Sequence, residues 1–536
     1  MTSNSKASLN WFQFFKSKPW LPLVISIVFV AIRVAYFFED LRYTLDADTM
    51  SYIETAQHYA KGEFWEAINS YWSPMSCWGT AIFLKLGMEI RLAVMMQGII
   101  SAVLFLYACW KIFRRWNMNL LWLWSMLGAI AFAISTYVYI QPFNDIFAAA
   151  FFIIFIQRIT DETKPKTTRN MVKTGIVAAL TCFSKAYYLP AIILILTLRF
   201  IFIRAIVSRK ILKLWGVFFL TWALILSPWV LLQHQKFDYW GLSSAGTFNI
   251  KVFQHGRLHY QKQYPYIVPP VHSTCTNYWE DPFVSFDRDP DRYTYPEPFL
   301  IKQFLHVYKG TWILFKFNID RLFHYSLYLW YAAALSLLIF PFFRRLSNIL
   351  KQAILILIFY PLGYFFVHIE LRFLWPLLPF IIFLIYSLVV RFKKPWADLL
   401  SIPSIIFCFL SVVHYPKGQL DYSKDQGKEW YQTAMQIKGL NLKGGFASNA
   451  RGSSSYGMAT ALAFYNQLSY FSPTYEAEPN YEQLIHEMRR LDVNYYFYFT
   501  KENADSVFLI QNEKSQKLTE ISNGAVEGLK IFRLKP

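Results

Sequence analysis

DADTMSYIETAQHYAKGEFWEAINSYWSPMSCWGTAIFLKLG, residues 46–87, sets two aspartates two positions apart shortly after an apolar run that begins near Trp20. The surrounding segment, 39–89, carries eight acidic and three basic residues, and another apolar run follows it. A loop poor in Lys and Arg belongs on the outer side of a bilayer if the basic loops of the chain fall on the opposite face. Its carboxylates are therefore candidates for chemistry at the membrane surface.

Composition points the same way. Of 536 residues, 55% are hydrophobic, 19% aromatic and only 16% charged, against about 25% charged in a soluble domain. Mean hydropathy is +0.27. Such a chain has too little polar surface to cover a globular core in water. Apolar stretches of roughly 18–25 residues recur, long enough to cross ~30 Å of hydrocarbon. The expected fold is an α-helical polytopic membrane protein with about 11 transmembrane helices. They run near 21–38, 90–110, 118–140, 143–158, 171–187, 189–205, 214–233, 325–343, 352–369, 372–390 and 398–415. The first run lacks an A-x-A-like cleavage site and reads as an anchor.

A net charge of +19 would suit a nucleic-acid binder. The basic residues instead cluster in short loops: Lys111/Arg114/Arg115, Arg158–Lys173, Arg199–Lys213, Arg344/Arg345/Lys351 and Arg391/Lys393/Lys394. No arginine-rich tail or nucleic-acid motif accompanies them, so no nucleic-acid partner is expected. All five clusters fall on one face only if Lys173–Arg204 folds as two short spans that meet near Pro190. The positive-inside rule then puts the N-terminus in the cytoplasm. Outward regions are 39–89, 234–324 and the tail. Residues 1–415 form the expected transmembrane domain, and 416–536 a small extracytoplasmic α/β domain.

Within the first loop, helices are expected near 49–61 and 77–88. In the tail, KEWYQTAMQI and YEQLIHEMRRL have helical periodicity, while GGFAS, VNYYFYF, SVFLI and LKIFRL read as strands. Cys77, Cys109, Cys182, Cys275 and Cys408 lack metal-ligand spacing. Three of them lie in apolar runs. Cys77 and Cys275 lie in outward loops, and the sequence leaves open whether they pair. His255, His259 and His272 have no regular ligand spacing and read as loop residues. The 19 Trp and 35 Tyr gather near the expected membrane interfaces, and aromatics in 234–300 are candidates for stacking on sugar rings.

Asp46 and Asp48 cannot share a helix face, because positions i and i+2 point apart. Asp48, Tyr52 and Ala56 do share a stripe if a helix starts with an acidic cap. The pair is thus either a helix cap beside a solvated acid or a catalytic carboxylate held at the membrane surface.

The quoted loop resembles the first extracytoplasmic loop of the GT-C glycosyltransferases, in the branch of protein O-mannosyltransferases and bacterial lipid A aminoarabinose transferases. The shared pattern falls on Asp48, Tyr52, Ala56, Gly62 and Pro74. Many relatives have two prolines where this chain has Ser73-Pro74. SPWVLLQHQKFDYWGLSSAGTFN (227–249) and IELRFLWPLLPF (369–380) resemble later stretches of the same family. The resemblance implies an enzyme of the bacterial inner membrane. It would move a sugar from a polyprenyl-phosphate donor to a lipid, glycan or protein acceptor on the extracytoplasmic side.

That chemistry can be matched to residues. A hydroxyl acceptor needs a base, with Asp48 the first candidate and Asp46 the second. The leaving phosphate needs no acid, in contrast to the glycosidase case, but it does need positive charge. Lys185, Arg372, Arg33 and Arg42 are the candidate cations. Burying Arg33 or Lys185 within a span costs ~2.5–3.5 kcal/mol, which marks both, although either also suits snorkelling to the interface. Glu370 is placed to pair with Arg372, and Tyr52 joins the substrate-binding set. Asp145 opens the fourth span, where it is either a dipole-favoured helix acid or, as the resemblance implies, part of the site. Asp46 with Asp48 offers oxygen ligands suited to Mg2+ or Mn2+, although the O-mannosyltransferase branch is not thought to require a metal.

Two other classes fit the composition. A transporter or flippase of lipid-linked saccharides should show internal repeats, and none is evident. A non-catalytic subunit of a cell-envelope assembly would use the tail as a binding module.

Overall fold

A computed structural model describes residues 18–140, 144–161, 167–203, 209–249, 264–285, 346–365, 369–474, 480–501 and 506–535. The chain begins with α1 (Leu21–Tyr36), followed by α2 (Ala47–Lys61) and α3 (Pro74–Lys85). Then come α4 (Ile90–Arg115), α5 (Leu120–Ile140), α6 (Asp145–Thr160), α7 (Thr168–Ser184), α8 (Tyr188–Phe202) and α9 (Arg209–Phe237). After the second outward region follow α10 (Asn348–Phe359), α11 (Leu378–Val389) and α12 (Trp396–Lys438). A helix stands at each expected span except 325–343, which lies outside the described residues. Also outside them are His255, His259 and the FDRDPDRYTYPEPF stretch of the second outward region.

Among the described residues, five helices are long and apolar enough to cross a membrane, and three shorter ones are predominantly apolar. Their exposed faces settle the solvent. On α1, Leu23, Ser26, Val30 and Val34 are buried while Ile25, Val28, Phe29 and Ile32 face outward. On α12, Leu399, Ile402, Ile406 and Leu410 form a second exposed apolar stripe. Such stripes at helical spacing, on helices packed into a bundle, match lipid and not water. The protein is an integral membrane protein.

The doubtful segment Lys173–Arg204 does split. α7 stops at Ser184, Lys185 is extended (φ −161°), and α8 starts at Tyr188. The break comes ahead of Pro190, which sits in the first turn of α8. A proline costs nothing there, because first-turn amides have no intrahelical acceptor.

The tail folds around one six-stranded sheet, in spatial order β1-β3-β2-β4-β6-β5. The strands are β1 (Ile267–Val268), β2 (Gly445–Ser448), β3 (Ser469–Pro473), β4 (Val493–Phe499), β5 (Leu518–Glu520) and β6 (Leu529–Leu534). VNYYFYF alternates as a two-faced strand should. Tyr495, Phe497 and Phe499 pack on one face with Phe446 and Tyr470, while Tyr496 and Tyr498 pack on the other with Phe508. Val493 joins the second face because the ladder with β2 shifts register beside Gly445.

Three features depart from expectation. SVFLI is not a strand but the start of a helix, Ser506–Ser515, whose Phe508 is buried while Ile510 is exposed. A five-residue apolar run has no length to separate the two periods. β1 comes from the second outward region and pairs antiparallel with β3, so the sheet's edge is supplied from far away in sequence. And α12 runs unbroken past residue 415, the expected end of the transmembrane domain, to Lys438.

On α12, Gly427 packs against the backbone of Tyr43 and Thr44, just ahead of α2. A methyl there would push apart the start of the acidic loop and the long helix. Gly427→Ala is expected to destabilise the protein by about 1–3 kcal/mol in thermal unfolding, as overpacking does. Gly216→Ala on α9, where nothing lies within 4 Å, should show no such loss.

Candidate active site

α2 owes its start to Asp46, whose side chain accepts from Thr49 N at 2.7 Å, and its end to Gly62 in the left-handed region (φ 85°). Asp46 is thus the cap. Asp48 and Tyr52, one helical turn apart, both face a cavity of about 670 Å³. Asp145, Lys185, Glu370 and Arg372 also line it, so seven expected residues converge, Asp46 included as a wall residue.

Each of the others is aimed by a local feature. Asp145 opens α6 directly after Asn144, held at φ 40°. The Asn144 amide donates to Ser76 Oγ (2.9 Å) and its side-chain nitrogen to Tyr52 Oη (2.5 Å), which ties α6 to α2 and α3. Lys185 reaches in from the break after α7. Its Nζ lies 2.5 Å from Asp145 Oδ1 and 3.4 Å from the centre of the Phe373 ring. Arg372 rises from a 3-10 turn, Leu371–Leu377, ahead of α11. Its Nε is 2.8 Å from Glu370 Oε2 and 3.7 Å from Asp145 Oδ2, and its Nη2 is 3.5 Å from Asp48 Oδ2. One guanidinium therefore faces three carboxylates from different parts of the chain.

Asp48 has a second partner, Trp279, whose indole N–H donates to Oδ1 at 3.0 Å. Burial pushes the Asp48 carboxyl up to about 6, with the Asp46 charge adding to the rise and Arg372 and the indole opposing it. Trp279, Tyr71, Trp72 and Phe248 form an aromatic wall beside Tyr52. Sequence reading singled out neither Trp279 nor Asn144. Aromatics in 234–300 were the only pointer to the first, and nothing pointed to the second.

Two expected cations lie elsewhere. Arg42 does not line the cavity and pairs with Glu39 at 3.3 Å. Arg33 stays within α1 and donates to Phe132 O, Ser135 Oγ and Thr136 Oγ1. Cys77 and Cys275 are both buried free thiols, not a disulfide. The Asp46–Asp48 pair is a poor fit to Mg2+ or Mn2+. One Asp46 oxygen caps the helix, and both Asp48 oxygens face donors, one of them a cation.

No family model matches the sequence, and no curated protein is similar to it. Solved structures are similar in fold. ArnT, the aminoarabinose transferase of Cupriavidus metallidurans, in its crystal structure bound to undecaprenyl phosphate, aligns over 96% of this chain and 98% of its own, with a TM-score of 0.52 and 12% identity. The Archaeoglobus fulgidus oligosaccharyltransferase, in complex with Zn and sulfate, aligns over 90% of this chain and 68% of its own, with a TM-score of 0.49 and 12% identity. The chain therefore shares the overall fold of that ArnT structure.

The weakened acidity of Asp48 can be read without any assay of function. A water-soluble carbodiimide labels protonated carboxyls, so labelling of Asp48 should fall as pH rises through about 6. Asp46→Asn removes a neighbouring charge and should move the midpoint down. Trp279→Phe removes a donor to the carboxylate and should move it up.

Proposed function

We propose that the protein is an inverting glycosyltransferase of the GT-C class, using a polyprenyl-phosphate sugar as donor and a hydroxyl on a lipid, glycan or protein as acceptor. The reaction takes place on the extracytoplasmic side of a bacterial inner membrane, with the N-terminus in the cytoplasm. The observation that carries this reading is the convergence of Asp48, Asp145, Lys185 and Arg372 on one cavity. The undecaprenyl phosphate bound by the ArnT of the same fold supports the donor class.

The step is a single displacement. The acceptor oxygen attacks the anomeric carbon as Asp48 takes its proton, and the carbon–oxygen bond to phosphate breaks on the opposite face. The electron pair leaves with the phosphate, and the configuration inverts. An Asp raised to about 6 is mostly ionised at neutral pH yet more basic than an ordinary carboxylate, which suits a general base. Lys185 and Arg372 supply the charge that the departing phosphate needs. As Asp48 becomes neutral it releases its hold on Arg372, and the guanidinium turns to the new anion. Asp145 and Glu370 keep the two cations in place between turnovers, and the aromatic wall offers flat apolar faces to the sugar.

Assays in detergent-permeabilised membranes with a radiolabelled polyprenyl-phosphate sugar test this. Asp48→Asn should lower kcat by roughly 10²–10⁴-fold, the usual worth of a general base. Asp46→Asn should retain most activity, since Asn caps a helix as well as Asp. Arg372→Lys loses the planar fork and should chiefly raise the donor KM. Unimpaired transfer by Asp48→Asn, or movement of the lipid-linked sugar with no product formed, would overturn the proposal.

A further inference from the structure

Toward the far end of α2, outside the cavity lining, lies a second cluster that the transfer chemistry does not use. His58 sits in the last turns of α2. His272 and Glu280 come from the second outward region, more than 200 residues later. Glu280 Oε1 is 3.5 Å from His58 Nε2 and 3.6 Å from His272 Nε2, and one ligand atom from each residue lies within 4.8 Å of the other two. Tetrahedral zinc ligands at about 2.0–2.1 Å stand roughly 3.3 Å apart, so two of these separations are already close to that.

Both imidazoles are oriented from behind. His58 Nδ1 meets Glu63 Oε2 at 2.7 Å, and His272 Nδ1 meets Thr274 Oγ1 at 2.8 Å. A carboxylate on Nδ1 leaves the Nε2 lone pair directed at Glu280, the arrangement seen around metal-bound histidines. Glu280 supplies the second observation. It is 2% exposed, its Oε2 has no hydrogen-bond partner, and the buried Glu54 lies close by. Among the described residues its ion-pair partners are the two imidazoles. A buried carboxylate with an orphaned oxygen needs a cation or a donor.

We propose that His58, His272 and Glu280 bind a zinc-class divalent cation that clips the second outward region onto α2. Two imidazoles and one carboxylate suit zinc, whereas Mg2+ and Ca2+ prefer all-oxygen shells. Solvent or the second Glu280 oxygen completes the tetrahedron. Trp279, next in sequence to Glu280, is the residue whose indole holds Asp48. The clip therefore acts as a positioning device for the cavity's carboxylate from about 15 Å along the same helix.

The test uses full-length protein in detergent, purified without a histidine tag, with zinc itself as the probe. Elemental analysis after dialysis should find about one zinc per chain. A chelator should lower the melting temperature, and zinc, unlike Mg2+ or Ca2+, should restore it. His272→Asn, in a loop, should lose the metal. Glu63→Gln, on a partly exposed residue, should weaken zinc binding by roughly 10–100-fold while remaining folded. Chelation should also move the carbodiimide midpoint of Asp48 upward, as Trp279 loosens. Absence of zinc from folded wild-type protein, with no thermal shift on adding it, would overturn the site. So would equal stabilisation by Mg2+. Zinc binding that leaves the Asp48 midpoint unmoved would overturn the positioning role alone. None of these readings requires sugar transfer, so they stand or fall separately from the proposed activity.

Discussion

A buried charge has to be paired, and at the outer edge of this helical bundle that requirement falls on Arg372. Its guanidinium meets Glu370, two residues away, Asp145 at the head of α6 and Asp48 in the first turn of α2. Lys185, from the break after α7, shares Asp145. Removing Arg372 would leave Glu370, Asp145 and Asp48 facing one another without it, at a cost below the about 3–5 kcal/mol of a fully buried pair, because Asp48 and Glu370 are partly exposed. The network therefore registers four separate elements against one another. It does so in the lining of one cavity, where the proposed lipid phosphate would exchange with the internal carboxylates. The same ion pairs that hold the elements together hold the chemistry in place.

Much of this architecture was readable before any coordinates. Apolar run length and the one-sided basic loops implied a polytopic bundle, and the need for charge parity split Lys173–Arg204 into the two short helices found. The pattern from Asp48 to Pro74 marked the loop that carries the site. Local signals also gave α2 and the YEQLIHEMRRL helix, which begins with an Asn480–Gln483 capping box. Which aspartate caps and which faces the cavity was not decided by periodicity alone. That follows from the helix starting at Ala47, which gives the cap to Asp46 and leaves Asp48 to Trp279 and Arg372.

What stayed hidden rests on long-range contact. Trp279 lies 231 positions from Asp48, in a region with no regular period, so no local rule joins the two. The edge strand β1 is two residues long and has no signature apart from its partner β3. His58 and His272 have no ligand spacing because they belong to different loops. SVFLI misled for the opposite reason: its local composition suits a strand, and the tertiary placement of Phe508 beside Tyr496 and Tyr498 overrides it. Arg42 and Arg33 looked like phosphate ligands by depth alone, yet each has partners nearer at hand.

The account reduces to whether a lipid-borne phosphate and the Asp48 carboxyl share one cavity. Electron cryomicroscopy of the full chain in lipid nanodiscs with an added polyprenyl phosphate tests that directly. The predicted result is phosphate density within ~4 Å of the Arg372 and Lys185 nitrogens, with Asp48 facing the space a sugar would fill. Phosphate density at another cleft, with the ion pairs of Arg372 undisturbed, would contradict it.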